Sequence, residues 1–414
     1  MKTQSIAVIG AGIVGICCAL ALQKRGARVT LFDRKGIAAE CSKGNAGHFA
    51  TEQVFPLANK NLLFKLPGMV LNPAGPLKIH LPYMLSAMPW FVRFLGNMST
   101  HRFTRNTEAL RALNHSALAA YEILLEEASL SHMLVKQGSL LTFETTPAAT
   151  IKAQLETFKQ QEVAVRWLNR EQTIEMEPAL SERISSALFF EDVAHTFDPY
   201  ELCVSLARYF MEQGGTIVRE EVAALYPHAG GVKVRQQSEL FDYDKALICA
   251  GAWSKRLISP LGYRLPLDTE RGYHLMLPIT NPIQRPVASA ERSFIMTPMR
   301  EGLRLAGTVE FAGLKRKMNT ARADRLLPNA RKILQRLPES VEEDWPRWMG
   351  MRPSLPDSLP VMGKAPRHQH LYFAFGHQHL GLTQGAITGQ LMAQVLNNEH
   401  PNIDMQPYCI SRFN

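Results

Sequence analysis

Gly10-Ala11-Gly12-Ile13-Val14-Gly15 lies between an apolar run, Ser5 to Ile9, and an Ala- and Leu-rich stretch that reaches Lys24. A second apolar run, Ala27 to Phe32, then ends at Asp33. The order strand, glycine turn, helix, strand, acid constrains the fold more than any other feature of the chain. Gly10 supplies the backbone shape of the turn, Gly12 lets the main chain approach a pyrophosphate, and Gly15 lets the helix pack on the strand. The helix opening at Ile13 and Val14 offers free N–H groups and its positive dipole end to an anion. A carboxylate at Asp33 can bind ribose hydroxyls. Arg34 beside it reads as a solvated surface arginine or as a contact for a 2′-phosphate. Gly10, Gly12, Ile13, Val14, Gly15, Asp33 and Arg34 are therefore expected to line a dinucleotide.

The remainder of the 414 residues is too long for one ordinary domain and points to two lobes. With 46% hydrophobic and 20% charged residues, the composition allows a sizeable core and excludes wholesale disorder. An amphipathic stretch, Tyr200 to Gln213, closes on Gly214-Gly215 in the manner of a helix end. Strand signals follow at Thr216–Val218, Val232–Val234 and Ala246–Ala250, and again at His274–Leu277 and Leu303–Ala306. A last apolar strand, Leu371 to Ala374, leads through a glycine turn into a helix over about Thr383 to Leu396. The chain thus opens and closes with strand–turn–helix units, as if its end returned to complete a nucleotide domain. Six cysteines without a C-x-x-C pair support neither a disulfide framework nor a metal site. The start of the sequence reads as a strand entering a turn rather than a secretory signal, so a reducing, cytoplasmic setting is expected.

Five later blocks, in order, carry a more specific signal. They are Cys41-Ser42-Lys43-Gly44-Asn45-Ala46-Gly47; Phe197-Asp198-Pro199; Ala250-Gly251-Ala252-Trp253-Ser254; Gly350-Met351-Arg352-Pro353 running through Asp357 to Gly363; and Gly376-His377 with Leu380-Gly381-Leu382-Thr383. Together with the opening turn they resemble the FAD-dependent D-amino-acid oxidase/dehydrogenase superfamily, and most of all its D-amino-acid dehydrogenase branch. The resemblance runs from residue 6 to about 395.

That resemblance implies an α/β fold: an FAD-binding Rossmann-type (glutathione-reductase-like) domain with an inserted α+β substrate domain built on a mixed/antiparallel sheet. The expected division gives 1–55, 195–265 and 345–414 to the FAD-binding domain and 107–194 and 266–344 to the substrate domain. By resemblance Ser42, Asn45, Ala46, Gly47, Val222, Gly251, Gly381, Leu382 and Thr383 join the cofactor contacts. A helix starting near Gly381–Thr383 would aim its positive end at a reduced flavin, which carries negative charge near N1. Arg352 is the expected substrate anchor, because a guanidinium holds a carboxylate bidentately and in fixed geometry. Tyr273 and His377 are expected at the substrate pocket, with ordinary packing or hydrogen bonding as the alternative for each. Covalent-histidine relatives carry that histidine earlier in the loop than His48, so non-covalent FAD is expected. The flavin does the chemistry, which explains why no nucleophile–base pair stands out.

The implied activity is oxidation of a small D-amino acid, of the D-proline/hydroxyproline or D-alanine type, to the imino and then the oxo acid. Electrons would pass to a quinone or other respiratory acceptor. A glycine/sarcosine-type amine oxidase using oxygen is the alternative enzyme. A flavin-binding tRNA-modification or assembly subunit is the alternative of another class, but no nucleic-acid module is recognisable and no nucleic acid is expected.

One segment stands apart in charge. Between Gln53 and Thr107 there is no Asp or Glu, yet Lys60, Lys65, Lys78, Arg93, Arg102 and Arg105 occur there, in a chain of net charge +9. Residues 56–106 interleave these cations with Tyr83, Trp90, Phe91, Phe94 and Leu95. Basic amphipathic helices suit an anionic membrane surface, so peripheral attachment to the cytoplasmic face of the inner membrane is expected, against the plainer reading of a packed insertion with a basic outer face.

Overall fold

A computed structural model describes residues 3–60, 75 and 77–413. The strand Ser5–Ile9 is buried along its whole length, as an apolar run without alternation requires in a sheet covered on both faces. It lies inside a six-stranded sheet in the order Val361–Lys364, Leu371–Phe375, Lys245–Ile248, Ser5–Ile9, Arg28–Phe32, Thr216–Val218. All neighbours in it pair in parallel except the antiparallel edge strand Val361–Lys364. The helix Ile13–Lys24 packs on this sheet and against the helix Gly381–Leu396. Their approach needs glycine: a Cβ on Gly389 would sit 2.5 Å from the Cys17 carbonyl oxygen. Forcing a methyl group into that contact costs about 1–3 kcal/mol.

The helix Pro199–Glu212 begins where the sequence places it. Asp198 caps it by accepting from the Tyr200 and Glu201 N–H groups at 3.0 and 2.9 Å, and Pro199 fills the first turn, where its missing N–H costs nothing.

The second layer is a nine-stranded mixed sheet. Its order is Arg347–Ser354, Asp268–Leu277, Gly302–Phe311, Phe294–Met299, Val287–Ser289, Ser139–Phe143, Ser186–Phe190, Val165–Asn169, and Leu77–Ile79 also pairs with Gly302–Phe311. Two stretches fall elsewhere than the expected division puts them. Arg347–Ser354 is an edge strand of this larger sheet, in register from Asp268↔Ser354 to Leu275↔Arg347, so the chain returns to the smaller sheet only after Ser354. The helices Thr100–His115 and Ala117–Glu127 bury Leu110, Leu113, Tyr121 and Leu125 in the same apolar cluster as the two glycine-turn helices, not in the core of the larger sheet. An apolar stripe at helical spacing carries no information about which sheet it will face.

Residues 61–74 and 76 of the basic insertion, Lys65 among them, lie outside the described residues. The helix Leu81–Gly96 is described. It turns Trp90 and Phe94 inward over Phe311, with ring centroids of Trp90 and Phe311 5.1 Å apart. Leu81, Leu85, Met88, Val92 and Leu95 face outward, with Leu85 84% exposed. The aromatic residues expected at a membrane are therefore core, and the outward stripe is aliphatic.

Candidate active site

The carboxyl ends of the parallel strands open onto a cleft whose empty space, including the open solvent at its mouth, is about 1250 Å³. Gly10, Gly12, Ile13, Val14, Asp33, Arg34, Ser42, Asn45, Val222, Gly251, Gly381 and Leu382 all line it. At the glycine turn, Gly10 has φ +111°, and a Cβ there would lie 2.4 Å from the Cys249 carbonyl oxygen. Gly15 does not line the cavity; a Cβ on it would strike the Gly10 oxygen at 1.8 Å, which fixes it as the residue that lets the helix close on the turn. Ser42 Oγ accepts from the Ile13 N–H at 3.0 Å, at the helix start where Ile13 and Val14 line the cavity.

Asp33 secures the turn itself. Its Oδ2 accepts from the Ala11 N–H at 3.0 Å and its Oδ1 from the Lys35 N–H at 2.8 Å. Arg34 stacks on the Trp253 ring, 4.5 Å from its centroid, and pairs with Glu40 at 3.5 Å. Ala46, Gly47 and Thr383 do not line the cavity. Gly47, at φ +70°, makes the loop turn against Thr196, and Thr383 Oγ1 accepts from the Ala50 N–H at 2.9 Å.

The larger sheet holds that loop from the other side. His274 Nδ1 donates to the Gly44 carbonyl at 3.1 Å, its ring stacks on Trp348, and Arg304 donates to the Asn45 carbonyl. Burial, with the nearby Arg304 charge, pushes His274 down to about 3, so it is a neutral donor at physiological pH.

Alternation along the edge strands separates the expected substrate residues. Glu270, Gly272 and His274 stand opposite Arg352, Gly350 and Trp348, so these six share one face, the one that meets the Gly44–Gly47 loop. Arg352 lies across Gly272, where a Cβ would be 2.4 Å from its Cζ. The guanidinium makes no hydrogen bond or ion pair among the described residues. Asp357, the acid its sequence neighbourhood offers, pairs instead with Arg412 at 2.7 Å. Tyr273 points to the opposite face. It is 1% exposed, and its hydroxyl donates to Glu310 Oε2 at 2.5 Å.

His377 contributes to the cavity lining, but its Nε2 shares a hydrogen bond with Thr388 Oγ1 at 3.0 Å, inside the closing helix. The imidazole nearer Arg352 is His379. Burial first, then the Arg352 charge, lowers it to about 4, while Glu52 pulls the other way. His379, Glu52 and Glu270 went unnoticed in the sequence. Glu52, as the acid that closes the loop block just before the acid-free segment, was the one readable signal.

A cradle of glycines at a helix start, an acid at the second strand and a second helix start at Gly381 define an FAD-type dinucleotide fold with the larger sheet laid across it. The chain belongs to the DAO family, FAD dependent oxidoreductase, which it matches over residues 5–395. It is 33% identical over 419 residues to a protein named D-amino-acid oxidase from Bradyrhizobium diazoefficiens, covering 99% of each chain. It is 29% identical to D-amino acid dehydrogenase 2 of Ralstonia nicotianae, covering 99% of this chain and 100% of that one. Among solved structures it resembles glycine oxidase from Geobacillus kaustophilus, with TM-score 0.76, 21% identity and 99% of both chains covered. L-proline dehydrogenase from P. horikoshii has the same fold, with TM-score 0.73, 17% identity and coverage of 100% and 98%.

Proposed function

We propose that the protein oxidises a small amino acid of D configuration, of the D-proline/hydroxyproline or D-alanine type, using non-covalent FAD and passing electrons to a quinone or other respiratory acceptor. The observation that carries the reading is Arg352: a cation against Gly272 on the loop-facing side of the sheet, with no partner among the described residues. A substrate carboxylate completes it bidentately, which fixes the Cα of the substrate relative to the ring. FAD, which the residues of the glycine turn and of the helix start at Gly381 would hold, would supply the two-electron acceptor for oxidation of the substrate's Cα–N bond to the imino and then the oxo acid. The chain's own part is to orient and exclude water. Ala50, Gly44 and Asn45 are tied to Thr383, His274 and Arg304, so the Gly44–Ala50 stretch is held from the closing helix and from the larger sheet.

Non-covalent attachment is supported by the state of the nearest nucleophiles. Burial pushes the Cys41 thiol up to about 12, far from the reactive thiolate, and His48 Nε2 is occupied by Glu52 at 2.9 Å. The division of labour between the smaller sheet for FAD and the larger for substrate is part of the same proposal. An anaerobic titration with D- and L-amino acids, including D-proline and cis-4-hydroxy-D-proline, tests it. Bleaching of the flavin band by a D-amino acid is expected, and admitting air then separates an oxygen-using enzyme from a dehydrogenase. A yellow protein that no amino acid bleaches would overturn the function while leaving the fold.

The outward stripe of Leu81–Gly96 supports peripheral contact with an anionic membrane. Leu81, Leu85, Met88, Val92 and Leu95 recur at helical spacing and are exposed, and the exposed Lys78 and Arg93 flank them. Among the described residues no helix is long and apolar enough to cross a membrane. Salt-sensitive sedimentation with phosphatidylglycerol vesicles is expected, weakened in Leu85→Ser. Equal binding to neutral vesicles would remove the charge argument.

A further inference from the structure

The strand that carries Arg352 lies at the edge of its sheet. Among the described residues Arg347–Ser354 pairs with Asp268–Leu277 alone, and two of its residues, Met351 and Pro353, line the cleft. That one ladder fixes its register but leaves its other side to be held by something else. At the cleft end it meets the turn between the strand Leu371–Phe375 and the helix Gly381–Leu396. A Cβ on Gly376 in this turn would lie 2.5 Å from a Leu355 methyl carbon, so the turn is pressed against the chain as it leaves the strand.

Gln378 makes the connection. Its N–H donates to the Pro353 carbonyl at 3.1 Å, and its Nε2 donates to the Leu355 carbonyl at 2.8 Å and to Ser354 Oγ at 3.4 Å. Ser354 Oγ in turn donates at 2.5 Å to Oε1 of Glu270, which stands opposite Arg352 on the neighbouring strand. Main chain and side chain of one residue thus grip the three residues that follow Arg352. Gln378 lines the cleft and is 6% exposed. Its backbone stands at φ +51°, in the left-handed region that a glycine occupies without strain and a glutamine does not. A buried side chain kept at a strained position points to a task for that side chain, since glycine would make the same turn unstrained.

We infer that Gln378 is a positioning residue: it fixes the cleft end of the Arg352 strand against the turn that opens the closing helix, and so sets where a carboxylate held by Arg352 lies relative to the cofactor cleft. This rests on the amino-acid reading above and adds the contact that joins the two sheets at the site. Such a contact controls orientation rather than affinity, because the ladder with Asp268–Leu277 still places Arg352 over Gly272 when the strand end is released.

The test uses the FAD-loaded protein and two variants. Gln378→Met keeps the length of the side chain but cannot donate, and Gln378→Gly removes the side chain and relieves the backbone. Both are expected to lower the limiting rate of anaerobic flavin reduction by the amino-acid substrate about tenfold or more, while the concentration giving half that rate stays within about threefold of wild type. The Kd of tetrahydrofuran-2-carboxylate, a proline analogue with no amine to oxidise, is read from the shift of the flavin band and is expected to stay within about the same threefold. The two variants differ in strain, so their unfolding midpoints should separate while their rates fall together. A wild-type rate in either variant, or a loss matched by equal weakening of substrate and analogue, would overturn the inference. If one variant does not retain flavin, the other decides by the same comparison. Loss of flavin from both would also overturn it, since a residue that acts on orientation leaves cofactor binding intact. Wild-type protein that turns over no amino acid would instead sink the functional reading itself, an outcome visible before any variant is made.

Discussion

Arg271 and Arg352 sit on neighbouring strands, one register step apart, and point to opposite faces of the same sheet. Arg271 is 0% exposed and ion-paired: Nη1 lies 3.0 Å from Glu310 Oε2, and Nη2 donates to the Arg316 and Lys317 carbonyls at 2.7 and 3.0 Å. Glu310 also accepts from Tyr273. Arg352 is only partly buried and has no such partner among the described residues. Two arginines of one edge are thus separated by what surrounds them. A cation buried against an acid inside the protein specifies the structure; one held over a glycine with no ion pair among the described residues is available to a ligand.

The contrast breaks most visibly on the ion-paired side. Arg271→Leu strands Glu310 in the interior and is expected to cost about 3–5 kcal/mol of folding stability, measured by urea denaturation of the FAD-loaded protein. Protein that survives should keep its KM. A stable Arg271→Leu with a raised KM would reverse the assignment of the two faces.

Arg352→Ala is expected to do the opposite. Losing a charge-assisted contact should raise KM by about tenfold to a hundredfold, with an unfolding midpoint close to that of wild type. Arg352→Lys should recover only part, since a point charge cannot reproduce the planar fork. Tyr273→Phe comes next in size. It deletes one buried donor to Glu310, at a cost of about 1–2 kcal/mol in stability. Because the side chain faces away from Arg352, KM should stay unchanged; a KM effect would restore Tyr273 to the pocket.

The nucleotide half was legible because its signals are local. Gly10, Gly12, Gly15 and Asp33 lie within one strand–turn–helix–strand unit, and each has a backbone reason that needs no knowledge of the rest. The larger sheet depends on long-range pairing. Gly272 opposite Gly350 opens room for Arg352, but nothing local in either strand announces that register. Tyr273 faces away from Arg352 for the same reason: a one-residue difference in a strand reverses the face. His377 and His379 share one turn, yet only the fold shows that the first bonds Thr388 while the second senses Arg352. The helices Thr100–His115 and Ala117–Glu127 show the same limit at larger scale, since an apolar stripe does not name its partner.

The smallest effect separates the two faces by pH. On the Arg352 side, His274 is held neutral, its value pressed from 6.5 to about 3 chiefly by burial. In the unfolded chain the imidazole takes a proton near 6.5; in the native state it does not until near 3. Between those values the unfolded state binds more protons, so this contribution is complete above pH 6.5 and is lost as pH falls toward 3. From pH 7 to 5.5 the loss is about 1 kcal/mol. His274→Gln can still donate to the Gly44 carbonyl but cannot titrate, so its stability should fall about 1 kcal/mol less than wild type over that interval. Tyr273→Phe, on the ion-paired face, should follow the wild-type slope. Identical slopes for wild type and His274→Gln would mean that the imidazole is protonated in the native state, and the clasp on the Gly44–Gly47 loop would then be a charged contact rather than a neutral one.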